Sequence, residues 1–154
     1  MDNFLAAWQD VLGNEGGYSN NPADPGGATM YGVTQRVARR YGYMGDMRDL
    51  PLSMAQDIAR SEYWNPYQCD KFDPRVAFQV FDTAYNGGEP VKWLQQDGIM
   101  GPKTVTAVNL TPALVVVMRF CAYRLQYYTS LKGWPTFGKG WTNRVANNLL
   151  KGAK

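Results

Sequence analysis

Glu15 opens the segment EGGYSNNPADPGGATMYGVT, residues 15 to 34, in a chain of 154 residues that contains no histidine. Without imidazole, serine–histidine–aspartate and cysteine–histidine nucleophiles are excluded, as are zinc sites built on histidine, and with them most ways of cutting an amide. A carboxyl group is then the only strong general acid at hand, and hydrolysis of a glycosidic bond needs little else. The segment supplies Glu15, then Asp24, then the hydroxyl of Thr29. Phe4, Leu5, Trp8, Val11 and Leu12 follow one face of a helix, and Gly16-Gly17 is its stop, so Glu15 is expected in the last turn. There the negative end of the helix dipole, with Trp8 and Tyr18 excluding water, raises a carboxyl pKa and keeps the proton on near neutral pH. That is the state a donor to a leaving sugar oxygen requires.

Asp24 sits in a loop rich in Asn, Pro and Gly that is free to curl back towards the helix end. With Thr29 it is suited to holding a water, which implies well-separated carboxyls and inversion at the anomeric carbon. Asp24-Pro25-Gly26-Gly27 is equally good turn chemistry, and Thr29 equally a loop hydroxyl bonded to backbone. Tyr18, Tyr31, Tyr85 and Asn86 are candidate substrate contacts, because aromatic faces stack on pyranose rings and side-chain amides bond N-acetyl groups. Tyr85 also continues the apolar stripe of its own helix.

The run EGGYxNxPxDPGGATxxGVT resembles the signature of the N-acetylmuramidase family of phage endolysins and bacterial muramidases, glycoside hydrolase family 108, whose acid is the Glu of its EGGY motif. FDTAYNGG (81 to 88), DGIMGPKT (97 to 104) and WPTFGKGW (134 to 141) are similar to the same family, so the likeness covers nearly the whole chain. It implies a lysozyme that cuts the β-1,4 bond between N-acetylmuramic acid and N-acetylglucosamine, with the acid role on Glu15. The order Glu, eight residues, Asp, four residues, Thr is also similar to that of phage-type lysozymes, whose last spacing is one residue longer. WLQQDGIMGPKTVTAV, 93 to 108, resembles peptidoglycan-binding modules, although the loop between Leu94-Gln95 and Asp97-Gly98 is shortened.

Helical signals dominate the elements that must position these groups. Thr34 caps a short helix through Tyr41, Ser53 and Gln56 form a capping box for a helix to about Tyr63, and Asp73-Pro74 starts a helix that Gly87-Gly88 ends. Thr111-Pro112 begins the longest helix, to about Lys132, with Gly133 as its stop; a last helix runs from about Gly140 to Leu150. The expectation is a mainly α, lysozyme-like fold with a catalytic loop after the first helix and a small β-ribbon between residues 16 and 33. Residues 1 to 88 form the catalytic part and 89 to 154 a peptidoglycan-binding-like part packed into one unit with it, since no Ser- or Pro-rich linker separates them.

With 45% hydrophobic residues the chain can bury a core, while its longest apolar run, Ala113 to Met118, is too short to span a membrane. The acidic start MDNFLAAWQD lacks the features of a secretory signal, so synthesis in the cytoplasm and release to the wall by another component, such as a holin, are expected. Cys69 and Cys121 read as buried free thiols, with a disulfide as the lesser option. No metal or cofactor is called for, and a monomer is expected. All 13 acidic residues fall by Asp97, so residues 1 to 97 carry net −5 and residues 98 to 154 net +8. Such a basic third is drawn to anionic wall polymers or an outer membrane, although lysines along helices are as often a solvated face, and no nucleic-acid motif accompanies it. Besides a muramidase, the sequence admits a silent wall-binding protein and a basic protein that permeabilises membranes through its last helix.

Overall fold

The computed structural model of the chain describes residues 2–13, 16–23, 25–95 and 98–154. Glu15 and Asp24 lie outside the described residues. The fold is mainly α with one small antiparallel ribbon, in the order α1 (Asn3–Leu12), β1 (Thr29–Met30), β2 (Val33–Thr34), α2 (Gln35–Arg40), α3 (Leu52–Ala59), α4 (Pro74–Asn86), α5 (Pro90–Leu94), α6 (Pro102–Leu110), α7 (Ala113–Thr129) and α8 (Trp134–Gly152). No single described helix is long and apolar enough to cross a membrane. Two compact units result, Met1–Pro66 and Tyr67–Lys154; the division anticipated after residue 88 falls inside the second.

In the first unit, Asp2 caps α1 by accepting from the Phe4 N–H at 2.9 Å, and its other carboxylate oxygen is ion-paired with Arg60. The Arg60 guanidinium also lies over the Phe4 ring, 4.3 Å from its centroid, and Phe4 meets Trp64 edge-on at 5.6 Å. Arg60–Trp64 is a wide π-type turn that prolongs α3, so α1 is clamped at its start to the far end of that helix. The expected capping box on Ser53 does not form. Pro51, extended at φ −61° and ψ 137°, takes the N-cap and places Ser53 inside the first turn. Under the ribbon, Ala28, Val33, Ala38, Met47, Leu50, Ala55 and Ile58 make a buried cluster.

The second unit is built on α4, α7 and α8. α4 starts at Pro74, with Asp73 accepting from the Arg75 N–H at 2.9 Å, and buries Val76 through Thr83. The longest helix is α8, with 19 residues against 17 in α7, and it starts at Trp134 rather than near Gly140. Gly138 is the reason: a Cβ there would stand 2.7 Å from the Trp134 ring, so the glycine gives the indole one turn back a flat place to lie and the helix runs through it. At the other end, a Cβ on Gly152 would meet Val117 at 2.6 Å, which fixes the close approach of α8 to α7. Cys69 and Cys121 are both buried and free. Burial holds the Cys69 thiol well above its usual range and pushes Cys121 up to about 11.

Candidate active site

The carboxylate-bearing segment is organised by backbone hydrogen bonds around the β1–β2 hairpin. Thr29 pairs with Thr34 and Met30 with Val33, leaving Tyr31-Gly32 as a two-residue turn. Both turn residues have positive φ, 49° and 74°, the combination that matches the twist of a tight hairpin. Gly32 adopts this freely; Tyr31 does not, and a side chain in the left-handed region costs about 1–2 kcal/mol. The Tyr31 N–H donates to the Gly16 carbonyl at 2.9 Å, and Ser19 and Thr29 exchange both backbone bonds at 2.9 and 2.7 Å. The residues that follow Glu15 in the sequence are therefore stapled alongside the strand that carries Thr29.

The other flank of the loop is tied down as well. Asn21 accepts from the Ala23 N–H at 3.0 Å in a local turn just before Asp24. After it, the Gly26 and Ala28 carbonyls accept from the Arg36 and Gln35 N–H groups at 3.1 and 2.7 Å, joining the loop to the start of α2, where Thr34 serves as N-cap as expected. Beside this framework lies an open groove of about 390 Å³ lined by Tyr18, Asn20, Gln35, Arg39 and Asp46. Tyr18 is exposed, and its ring is covered on one face by Arg48 at 4.8 Å. Trp8 is buried, with no hydrogen-bond partner for its indole N–H among the described residues. Thr29 and Tyr31 are half-buried on the hairpin.

Tyr85 and Asn86 belong to the second unit. Tyr85 is half-buried with its ring 6.0 Å from that of Phe81, and Asn86 donates its side-chain amide to the Asp82 carbonyl at 2.8 Å and to the Asp82 carboxylate at 3.3 Å. Asp82 leads to a set of residues the sequence reading missed. Its carboxylate accepts from Arg124 at 2.7 Å, from Arg144 Nη2 at 2.8 Å and from the Asn148 amide at 2.7 Å. Arg124 and Asp82 are fully buried. Burial alone would raise the Asp82 pKa, but the hydrogen bond from Arg144 and the charges of Arg124 and Arg144 outweigh it and hold the carboxyl below its ordinary value. Gln79, also buried, donates to the Asn148 carbonyl at 2.8 Å and accepts from the Cys121 thiol at 3.4 Å. A signal for the cluster did exist: Val117, Phe120, Cys121, Arg124 and Tyr128 share one buried face of α7, and a charge in such a stripe demands a buried partner. Among the described residues, no three His, Cys, Asp or Glu side chains gather as a metal site.

The Glycosyl hydrolase 108 family matches residues 8–88, a stretch that contains the whole segment from Glu15 to Thr34 and runs through Gly88. A structure described as SagA of Brucella abortus superposes with a TM-score of 0.82 at 34% sequence identity, covering 97% of this chain and 93% of that one. Comparison with curated proteins returns no match. The match over more than half of the sequence and the structural likeness over nearly all of it agree with a lysozyme-like helical fold, and the chain belongs to the Glycosyl hydrolase 108 family of glycosidases acting on peptidoglycan.

Proposed function

We propose that this glycoside hydrolase cleaves the β-1,4 bond between N-acetylmuramic acid and N-acetylglucosamine, with Glu15 as general acid and Asp24 and Thr29 holding the attacking water. The observation that carries the reading is the family match across residues 8–88, which includes both carboxylates in a chain without histidine. The hairpin supports it, since Gly16 and Ser19 are bonded to Tyr31 and Thr29, so the acid's immediate neighbours in sequence share a framework with the hydroxyl assigned to the water. Tyr18, Tyr31, Tyr85 and Asn86 are the assigned glycan contacts. Two of the eight cations after Asp97, Arg124 and Arg144, hold Asp82, and Lys151 lies over the Phe78 ring; the lysines at 103, 132, 139 and 154 and Arg119 add positive charge that would draw the enzyme to anionic wall polymers.

Replacing Glu15 by Gln tests the acid directly. Shape is kept and one ionisable proton is lost, which costs on the order of 10²- to 10⁴-fold in rate. Release of reducing sugar from purified cell walls by E15Q should fall to that extent with an unchanged melting temperature. Retention of more than a few per cent of wild-type release would remove Glu15 from the role.

A further inference from the structure

The second unit holds a cavity of about 300 Å³ lined by Asn86, Tyr127, Tyr128, Leu131, Trp141 and Arg144. We infer that this cavity is a saccharide subsite that takes one pyranose ring between aromatic walls and binds the carboxylate carried by that sugar's substituent through Arg144. Its volume lies at the small end of ligand pockets, about 300–1,000 Å³, which suits a single sugar rather than an oligomer. A Cβ built on Gly87, at the rim, meets nothing within 4 Å, so the mouth is not closed there by packing.

The walls supply both kinds of contact a sugar needs. Tyr127 and Trp141, each half-buried, flank Tyr128, whose own ring is buried, packed on Trp141 at 5.0 Å and covered by the Arg124 guanidinium at 5.4 Å, so the two flanking rings are the ones that offer faces to the C–H side of a pyranose. Beyond Trp141 the rings continue to Phe137, 5.8 Å away and more than half exposed. A wholly apolar guest would strip water from Arg144 and the Asn86 amide without replacing its bonds, so a polar ligand is favoured.

Arg144 sets the charge. Its side chain is 36% exposed, and Asp82 grips it from within through Nε at 3.2 Å and Nη2 at 2.8 Å. Asp82 is fixed in turn by Arg124 and Asn148. A guanidinium held on a buried carboxylate through Nε and Nη2 loses little freedom on binding, and its partly exposed positive charge favours an anionic substituent. The choice of a muramoyl sugar rests on the peptidoglycan reading; its carboxylate comes either from a free lactyl group or from the stem peptide.

Binding of products too short to be cleaved tests the subsite without relying on turnover. Calorimetry on the full chain would use the N-acetylglucosaminyl-N-acetylmuramic acid disaccharide with its lactyl carboxylate free, the same disaccharide bearing the dipeptide L-Ala-D-Glu, and chitobiose as a neutral control. R144Q is expected to weaken the acidic probes by about tenfold or more, as loss of a charge-assisted bond does, and chitobiose little, while W141A weakens all three. Loss confined to the dipeptide probe would assign the carboxylate to the stem peptide, loss confined to the free-lactyl probe would assign it to the lactyl group, and loss for both would show that Arg144 takes a carboxylate from either. Wild-type affinity in both folded variants, an equal loss of chitobiose and acidic probes in R144Q, or no binding to the wild type would overturn the subsite. Wall digestion by the wild type is read separately: its absence would sink the hydrolase reading, whereas R144Q binding as the wild type does would sink only this one.

Discussion

Tyr31 shows how much a single side chain can reveal. A tyrosine held at φ 49° where Asn or Gly would be at ease is strain kept in place by its surroundings, here the hairpin and the bond to Gly16. Y31G relieves the left-handed strain but removes a ring packed against the cluster of Ala28, Val33 and Ala38, so stability should fall by about 1–3 kcal/mol, and a ring that contacts the glycan makes kcat/KM fall several-fold as well. Steady-state kinetics beside a thermal melt checks both halves; unaltered kinetics would make Tyr31 a turn residue only. Stereochemistry also belongs to this scale. A water held by Asp24 and Thr29 gives inversion, so proton NMR of the first reducing sugar released should show the α-anomer. The β-anomer would make Asp24 a nucleophile instead.

Among the elements, the contact of α4 with α7 and α8 is the one with a pH signature. Asp82 is held below the ordinary carboxylate range when folded and returns to that range when unfolded, so its contribution is present above the unfolded value and is lost as pH falls through the folded one. Urea midpoints should therefore drop below about pH 4. D82N, which leaves Arg124 buried without its counter-charge, should lose about 3–5 kcal/mol at neutral pH and show a shallower acid slope. Part of the slope will persist, because Asp2 and Asp73 are also held down by Arg60 and Arg75. An acid slope in D82N equal to that of the wild type would show that the cluster is not the source.

The same elements show which parts of the fold were legible. Period and caps gave α2 and α4 within a residue or two, because each has a Thr or Asp cap and one apolar face, whereas α1 ends earlier than its apolar spacing suggested, at Leu12, with Gly13 rather than Gly16-Gly17 as its stop. α8 was misread at its start, since Gly138 reads as a breaker until the Trp134 ring it accommodates is seen. Ser53 was misread because the capping signature ignores that Pro51 fixes the entry to α3. A ribbon in the stretch before Thr34 was readable from local sequence, and the apolar stripe of α7 marks Arg124 as buried, whereas its pairing with Asp82 and the part of Arg144 were not readable. Those residues stand 42 and 62 positions apart, and no local pattern reports such a distance.

For the molecule as a whole, that separation has a consequence in the order of synthesis. A ribosome making the chain delivers Asp82 first, Arg124 42 residues later, Arg144 after 62 and Asn148 after 66. At about 5–20 residues per second, the carboxylate waits several seconds for its last partners. The unit Met1–Pro66 draws its contacts from residues already made, but Tyr67–Lys154 cannot bury α4 until α8 has emerged, with Gly152 seated against Val117. Nascent chains whose emerged part stops before Arg144 should therefore be cut by protease within α4, and those carried on a carboxy-terminal extension long enough to bring Gly152 out of the ribosome should resist.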